Sequence, residues 1–200
     1  MNQDNDHGLD DLIARAEQND QSAVSSLMTL HRDRLRRMVA LRMHEQLMRR
    51  VDPSDVVQDA MVEASKNLPD YLRSRPMPFY PWLRRFVWQR LVQLHRHHLD
   101  AQQRSLRREA SAGIPLSEAS GMQLAERLIC SGTSPSGGAI RKELHSRIRH
   151  ALQQLSNHDR EVLVLLYLEQ LSMREASEVL QISQRTANMR HLRALKRLKS

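Results

Sequence analysis

Two hundred residues, 40% of them hydrophobic, fill at most two ordinary domains with modest cores. Thirty-one Lys and Arg against 23 Asp and Glu leave a formal charge of +8, which favours a polyanionic partner. Nothing approaches the roughly 18 apolar residues of a membrane span, the acidic stretch Met1 to Asp11 is neither a secretory signal nor a transit peptide, and the single Cys130 excludes an internal disulfide and a thiolate zinc site; a cytoplasmic protein with no membrane partner is expected.

Only 4% of residues are aromatic and six are glycine, while Leu, Arg, Gln, Ala, Met and Glu are plentiful, so an all-α fold is expected. From Leu9 to Arg50 apolar residues recur at helical spacing, Leu27, Leu30, Leu35, Met38, Val39 and Leu41 among them, which predicts two amphipathic helices. Asp52-Pro53-Ser54-Asp55 is a helix start, with acids at the positive end of the macrodipole. The helix that follows sets Val57, Met61, Ala64 and Leu68 on one face and Asp55, Gln58, Asp59 and Glu63 on another.

Asn67 to Pro81 holds Pro69, Pro76, Pro78 and Pro81 and is predicted as an ordered loop. Trp82 to His98 then reads as a helix with Leu83, Phe86, Val87, Leu91 and Leu94 inward and Arg84, Arg85, Arg90 and Arg96 outward. Basic character continues through Arg104, Arg107 and Arg108. Ala110 to Ala139 collects glycine, proline and serine and is predicted as an interdomain linker with one short helix near Met122 to Ile129. Beyond Arg141, Leu144, Ile148, Ala151, Leu152 and Leu155 mark a helical face and Val162 to Leu168 a buried helix.

The last 30 residues have the spacing of a helix-turn-helix. Ser172 is placed to cap a short helix through Leu180, Gln181-Ile182 forms the turn, and Ser183 caps a longer helix to Lys199 that bears six Lys and Arg and no acid. If that helix enters the major groove, Arg185, Asn188 and Met189 meet base edges, because Arg suits guanine, Asn adenine, and Met a thymine methyl. Thr186, Arg190 and Arg193 are better placed for backbone oxygens.

This terminal unit sits behind a second basic helical unit, and the pair resembles the extracytoplasmic-function sigma factors of the sigma-70 family. The resemblance rests on Asp52-Pro53-Ser54-Asp55-Val56-Val57-Gln58-Asp59, then Phe79-Tyr80-Pro81-Trp82-Leu83-Arg84-Arg85, then Leu155-Ser156-Asn157-His158-Asp159-Arg160-Glu161-Val162, in that order ahead of the helix-turn-helix. It implies an acidic segment over 1–19, a region 2 domain over 20–108, a linker over 109–140 and a region 4 domain over 141–200. It further implies core RNA polymerase and promoter DNA as partners, and it allows an anti-sigma regulator. Asp55, Gln58 and Asp59 would dock on the clamp helices of the polymerase's largest subunit, and the Asn67 to Pro81 stretch would take up a flipped base of the minus-10 element. Tyr71 would stack on that base or anchor the loop, with Arg84, Arg85, Gln89 and Arg96 facing the melted strand. Gln89 stands where the family more often has Asn.

The rival readings are a dimeric operator-binding regulator, which leaves the Asp52 to Arg108 half without a role, and an enzyme. His95, His97 and His98 have no carboxylate or thiolate at a metal-supporting spacing, His44-Glu45 lacks a zincin's second histidine, and His31-Arg32-Asp33 comes without a glycine-rich phosphate loop. No catalytic residue, metal or cofactor is expected. The aromatic platforms of common RNA-binding modules are absent as well.

Overall fold

The computed structural model describes residues 3–99, 118–130 and 138–199. Among these there are helices and no strands. The first lobe comprises α1 (Gln3–Glu17), α2 (Gln21–Leu30), α3 (Arg32–Arg42), the single turn α4 (Glu45–Met48), α5 (Pro53–Ser74) and α6 (Phe79–Leu99). The second comprises α7 (Glu118–Cys130), α8 (Gly138–Gln154), α9 (Asn157–Leu163), a π-helical turn Val164–Leu168, α10 (Met173–Leu180) and α11 (Gln184–Lys199).

Local chemistry sets the starts of these helices. Asp20 accepts from the Ser22 and Ala23 amides to open α2, and Asp52 accepts from the Ser54 amide at 2.7 Å with Pro53 at the first helical position of α5. Packing then decides their faces. Leu27, Leu35, Met38 and Val39 close against Val56, Val57, Ala60 and Ala64 of α5 and Leu83, Val87 and Leu91 of α6, all buried. Each such large apolar side chain contributes about 1.5–3 kcal/mol relative to its exposed form.

Three expectations change here. The predicted loop over Asn67 to Pro81 shrinks to residues 75–78, because α5 runs through Pro69 to Ser74 and α6 begins at Phe79. Pro69 and Ser65 both lie on the exposed side, so the Ser65 carbonyl that loses its amide partner faces water, while Leu68 and Tyr71 hold the helix to the core. Pro81 falls in the first turn of α6, where no intrahelical amide bond is needed. The second change concerns the acidic segment 1–19, most of which is α1, with Ile13 and Ala16 buried in the first lobe's core. The third concerns the linker. Residues 118–130 form a full helix whose Leu124, Ala125, Leu128 and Ile129 pack with Ile148, Leu152, Leu163 and Val164 in the second lobe's core. Arg104, Arg107 and Arg108 lie outside the described residues.

The π-helical turn joins the two cores. Val164 and Leu168 belong to the second lobe's cluster, whereas Leu165 is buried in the first lobe's, together with Leu171 and Ala176. The Glu169 amide closes the wide turn on the Val164 carbonyl at 3.0 Å, which brings the Glu169 side chain to the seam between the lobes.

Candidate nucleic-acid interface

The helix-turn-helix forms as its caps require. Ser172 Oγ accepts from the Glu175 amide at 3.2 Å and the Glu175 carboxylate accepts from the Ser172 amide at 2.8 Å, a reciprocal capping box. Gln181 ends α10 in the left-handed conformation at φ 53°, taking the place that glycine usually fills. Ser183 Oγ accepts from the Thr186 amide at 3.1 Å and opens α11.

Ala187 and Ala194 are fully buried on the inner side of α11, so the helix lies close against its lobe. The His191 ring meets the Tyr167 hydroxyl at 3.2 Å on the same side. The opposite side exposes Arg185, Asn188, Met189, Leu192 and Lys196. Met189 and Leu192 are 62% and 60% exposed, an apolar pair that the lobe's own packing does not use. Leu192 is absent from the candidates that base chemistry suggests, although its spacing of three from Met189 and four from Asn188 puts it on that face.

The flank of α11 divides. Thr186 is exposed, its hydroxyl 2.8 Å from Ser183 Oγ, and Arg190 is half-buried. Arg193, expected to face backbone oxygens, is a fork on Asp159, with Nη2 to Oδ1 at 2.6 Å and Nε to Oδ2 at 2.9 Å. Asp159 is buried, and the Arg193 guanidinium holds its carboxyl below the usual range. Next to it, Arg160 donates to the carbonyls of Leu152 and Gln153, satisfying the end of α8. These bonds fix α11 against α9 and so set the angle at which its outer face is offered.

On the first lobe, Arg85, Gln89 and Arg96 are exposed along α6. Tyr71 and Arg84 do not join them. Tyr71 is buried, its ring 4.5 Å from Trp82 and 5.4 Å from Phe79, and its hydroxyl donates to the Met77 carbonyl at 3.1 Å. It anchors the 75–78 loop, and burial pushes its phenol up to about 12. Arg84 is 5% exposed and donates to both Glu169 oxygens, at 2.8 and 3.0 Å. Asp55, Gln58 and Asp59 are exposed on the first turns of α5. Gln58 accepts from Arg32 at 2.9 Å and Asp59 from Arg90 at 2.7 Å.

No group of His, Cys, Asp and Glu among the described residues is arranged to hold a metal ion. None of their helices is long and apolar enough to cross a membrane.

Residues 27–99 match the family model for sigma-70 region 2, and residues 145–198 match that for sigma-70 region 4. The first match covers the lobe that carries the exposed α6 face, the second the lobe that carries the helix-turn-helix. The chain belongs to the sigma-70 family. A relative over most of its length is the ECF RNA polymerase sigma factor SigW of Bacillus subtilis (strain 168), 22% identical over 183 residues, which cover 89% of this chain and 88% of that protein. The chain is thus an extracytoplasmic-function sigma factor with two helical domains, acting in transcription initiation with core RNA polymerase and promoter DNA as partners. A dimeric operator-binding regulator would leave the region 2 lobe of this sigma factor without a purpose.

Proposed function

We propose that this sigma factor reads minus-35 duplex with α11 and holds melted minus-10 strand on α6. The exposed, acid-free face of α11 carries this reading. Its fully buried alanines let the helix lie flat on its lobe, so Arg185, Asn188 and Met189 stand at the end that enters a major groove, with Leu192 extending the apolar surface. Thr186, Arg190 and the outer side of Arg193 fall beside them, where phosphates run. On α6, Arg85, Gln89 and Arg96 supply charge and hydrogen bonds to an unwound strand. The acidic and amide face of α5, Asp55, Gln58 and Asp59, suits a basic groove on the polymerase. The sigma factor makes and breaks no bond itself; its work is placement and strand capture. A cytoplasmic location accompanies that work.

The test is run-off transcription with core polymerase. With Arg185, Asn188 and Arg190 all changed to Ala, promoter-specific initiation should fall at least tenfold while non-specific transcription by core enzyme is unchanged, since each lost base interaction is worth about 1–3 kcal/mol. Undiminished initiation would remove α11 from the minus-35 element.

A further inference from the structure

The acidic helix α1 lies ahead of the residues that match region 2, yet it is fastened to the loop that leads into α6. Asp10, Ile13 and Glu17 follow one another at spacings of three and four, so they form a single stripe along α1. Ile13, in the middle of that stripe, is buried in the first lobe's core. At one end the Glu17 carboxylate accepts from the Arg75 guanidinium, 58 residues further along the chain. Asp10 at the other end and Arg75 act in opposite senses on the Tyr71 phenol, so both lie near the hydroxyl that holds the loop.

Arg75 is an unfavourable residue type for its place. It closes α5 in the left-handed conformation at φ 38° and ψ 57°, its amide donating to the Tyr71 carbonyl at 2.7 Å. Glycine takes that conformation freely and a side chain opposes it, and the ring of Pro76 restricts the residue before it further. Proline also fixes φ at Pro76 and Pro78, so the path of the loop over 75–78 turns on the torsions of Arg75 and Met77. Each of these two has an anchor. The Met77 carbonyl is held from α5 by the Tyr71 hydroxyl at 3.1 Å, and the Arg75 side chain is held from α1 by Glu17.

The anchor on α1 is itself fixed. Arg15 donates to Asp20 Oδ2 through Nε at 3.0 Å and through Nη2 at 2.7 Å, Asp20 caps α2, and Ala16 is buried beside Glu17. With the helix end set in this way, only the rotamers of Glu17 separate its carboxylate from a fixed point. Glu17 also neutralises the Arg75 charge, so the contribution of the pair to strand capture is geometric.

Resting on the proposed capture of the melted strand on α6, we propose that α1 is a brace for base selection: Glu17, acting through Arg75, is a positioning residue that holds the 75–78 loop in the shape against which minus-10 bases are compared. The phosphates of the strand are common to every sequence, so loss of the brace leaves charge-driven binding in place and blunts the difference between bases.

The test uses the full chain with core polymerase and a labelled single strand carrying the minus-10 element of a promoter from which that holoenzyme initiates. Each minus-10 base is replaced in turn by the other three, and fluorescence anisotropy gives the affinity ratio between the best and worst base at each position. The wild type should show a ratio of about tenfold or more at one position at least, within the range that contacts to one unpaired base supply. Glu17→Gln should lower the largest ratio about threefold, the size that a half-exposed ion pair carries, with binding of a minus-35 duplex unchanged. Asp11→Asn removes the same charge from the same helix, where Asp11 faces Arg15 at 3.9 Å, and should leave the ratio as it was. Exchanging the pair, Glu17→Arg with Arg75→Glu, should restore the ratio, which a direct base contact by Arg75 would not allow. Equal ratios in wild type and Glu17→Gln, an equal loss in Asp11→Asn, or an exchanged pair as blunt as the single change would each overturn the brace. A wild type that shows no difference between bases at any position would instead remove the proposed capture of the strand, and the brace with it.

Discussion

Arg193 and Asp159 show how little a charge count says about a single side chain. On sequence Arg193 is one of six basic residues on an acid-free helix, yet its two nitrogens are taken by a buried carboxylate 34 residues away. The pairing makes an asymmetric prediction. Arg193→Ala strands Asp159 in the interior, whereas Asp159→Ala leaves only a solvated guanidinium. Thermal unfolding should show the larger drop in Tm for Arg193→Ala. Asp159→Ala should still weaken binding of a minus-35 duplex severalfold, although Asp159 lies on the inner side of the domain, because α11 loses the bond that sets its angle. Equal affinity of wild type and Asp159→Ala would mean that α11 is held by its alanines alone.

At the scale of elements, short-range rules account for most boundaries. Ser172, Ser183, Asp52 and Asp20 each cap the helix that follows them, and the starts of α10 and α11 fall where those residues place them. Gln181 is the exception, a side-chain-bearing residue at φ 53° in the turn of the helix-turn-helix. Gln181→Gly should raise stability by up to about 1 kcal/mol by relieving that conformation, and Ser172→Ala should lower it by about 1 kcal/mol through loss of the cap. Urea titration measures both. A destabilised Gln181→Gly would show that the glutamine side chain is needed at the lobe seam. Pro69 marks where short-range rules fail: the helix persists because Leu68 and Tyr71 bury on its inner side, which outweighs one missing hydrogen bond at the surface.

For the whole molecule, the seam between lobes gives stability a pH dependence. Burial pushes His31 down to about 4, Arg34 acts in the same direction, and Glu175 opposes them; Phe79 and Tyr80 cover the ring. A base whose folded pKa is depressed binds its proton more readily in the unfolded chain, so its contribution is complete above about 6.5 and is lost as pH falls toward 4. The slope is at most about 1.4 kcal/mol per pH unit for one group. Burial lowers His191 too, adding in the same sense. Glu169 behaves differently. Burial alone would raise its carboxyl, but Arg84 and Arg42 outweigh that and hold it at about 2, so its contribution persists above 4.5 and fades only below. Between pH 4.5 and 6.5 the histidines therefore dominate, and His31→Gln should flatten the denaturation midpoint measured across that window. An unchanged slope would place the sensitivity elsewhere.

Helical content, the helix-turn-helix and the outer face of α11 were legible in the sequence by itself, because caps and 3.6-residue periodicity act over a few residues and repeat often enough to be read. The extension of α1 and α7 into the two cores was less legible, since a short amphipathic stretch does not say which surface will cover it. Only the tertiary structure decided which arginines face outward. Arg84 and Arg85 are neighbours in sequence, and one is sealed by Glu169 while the other is exposed. The partner of Arg84 lies 85 residues along the chain and that of Arg42 lies 127. Coulomb attraction depends on separation in space, and periodicity carries no record of which distant carboxylate the folded chain brings within about 3 Å.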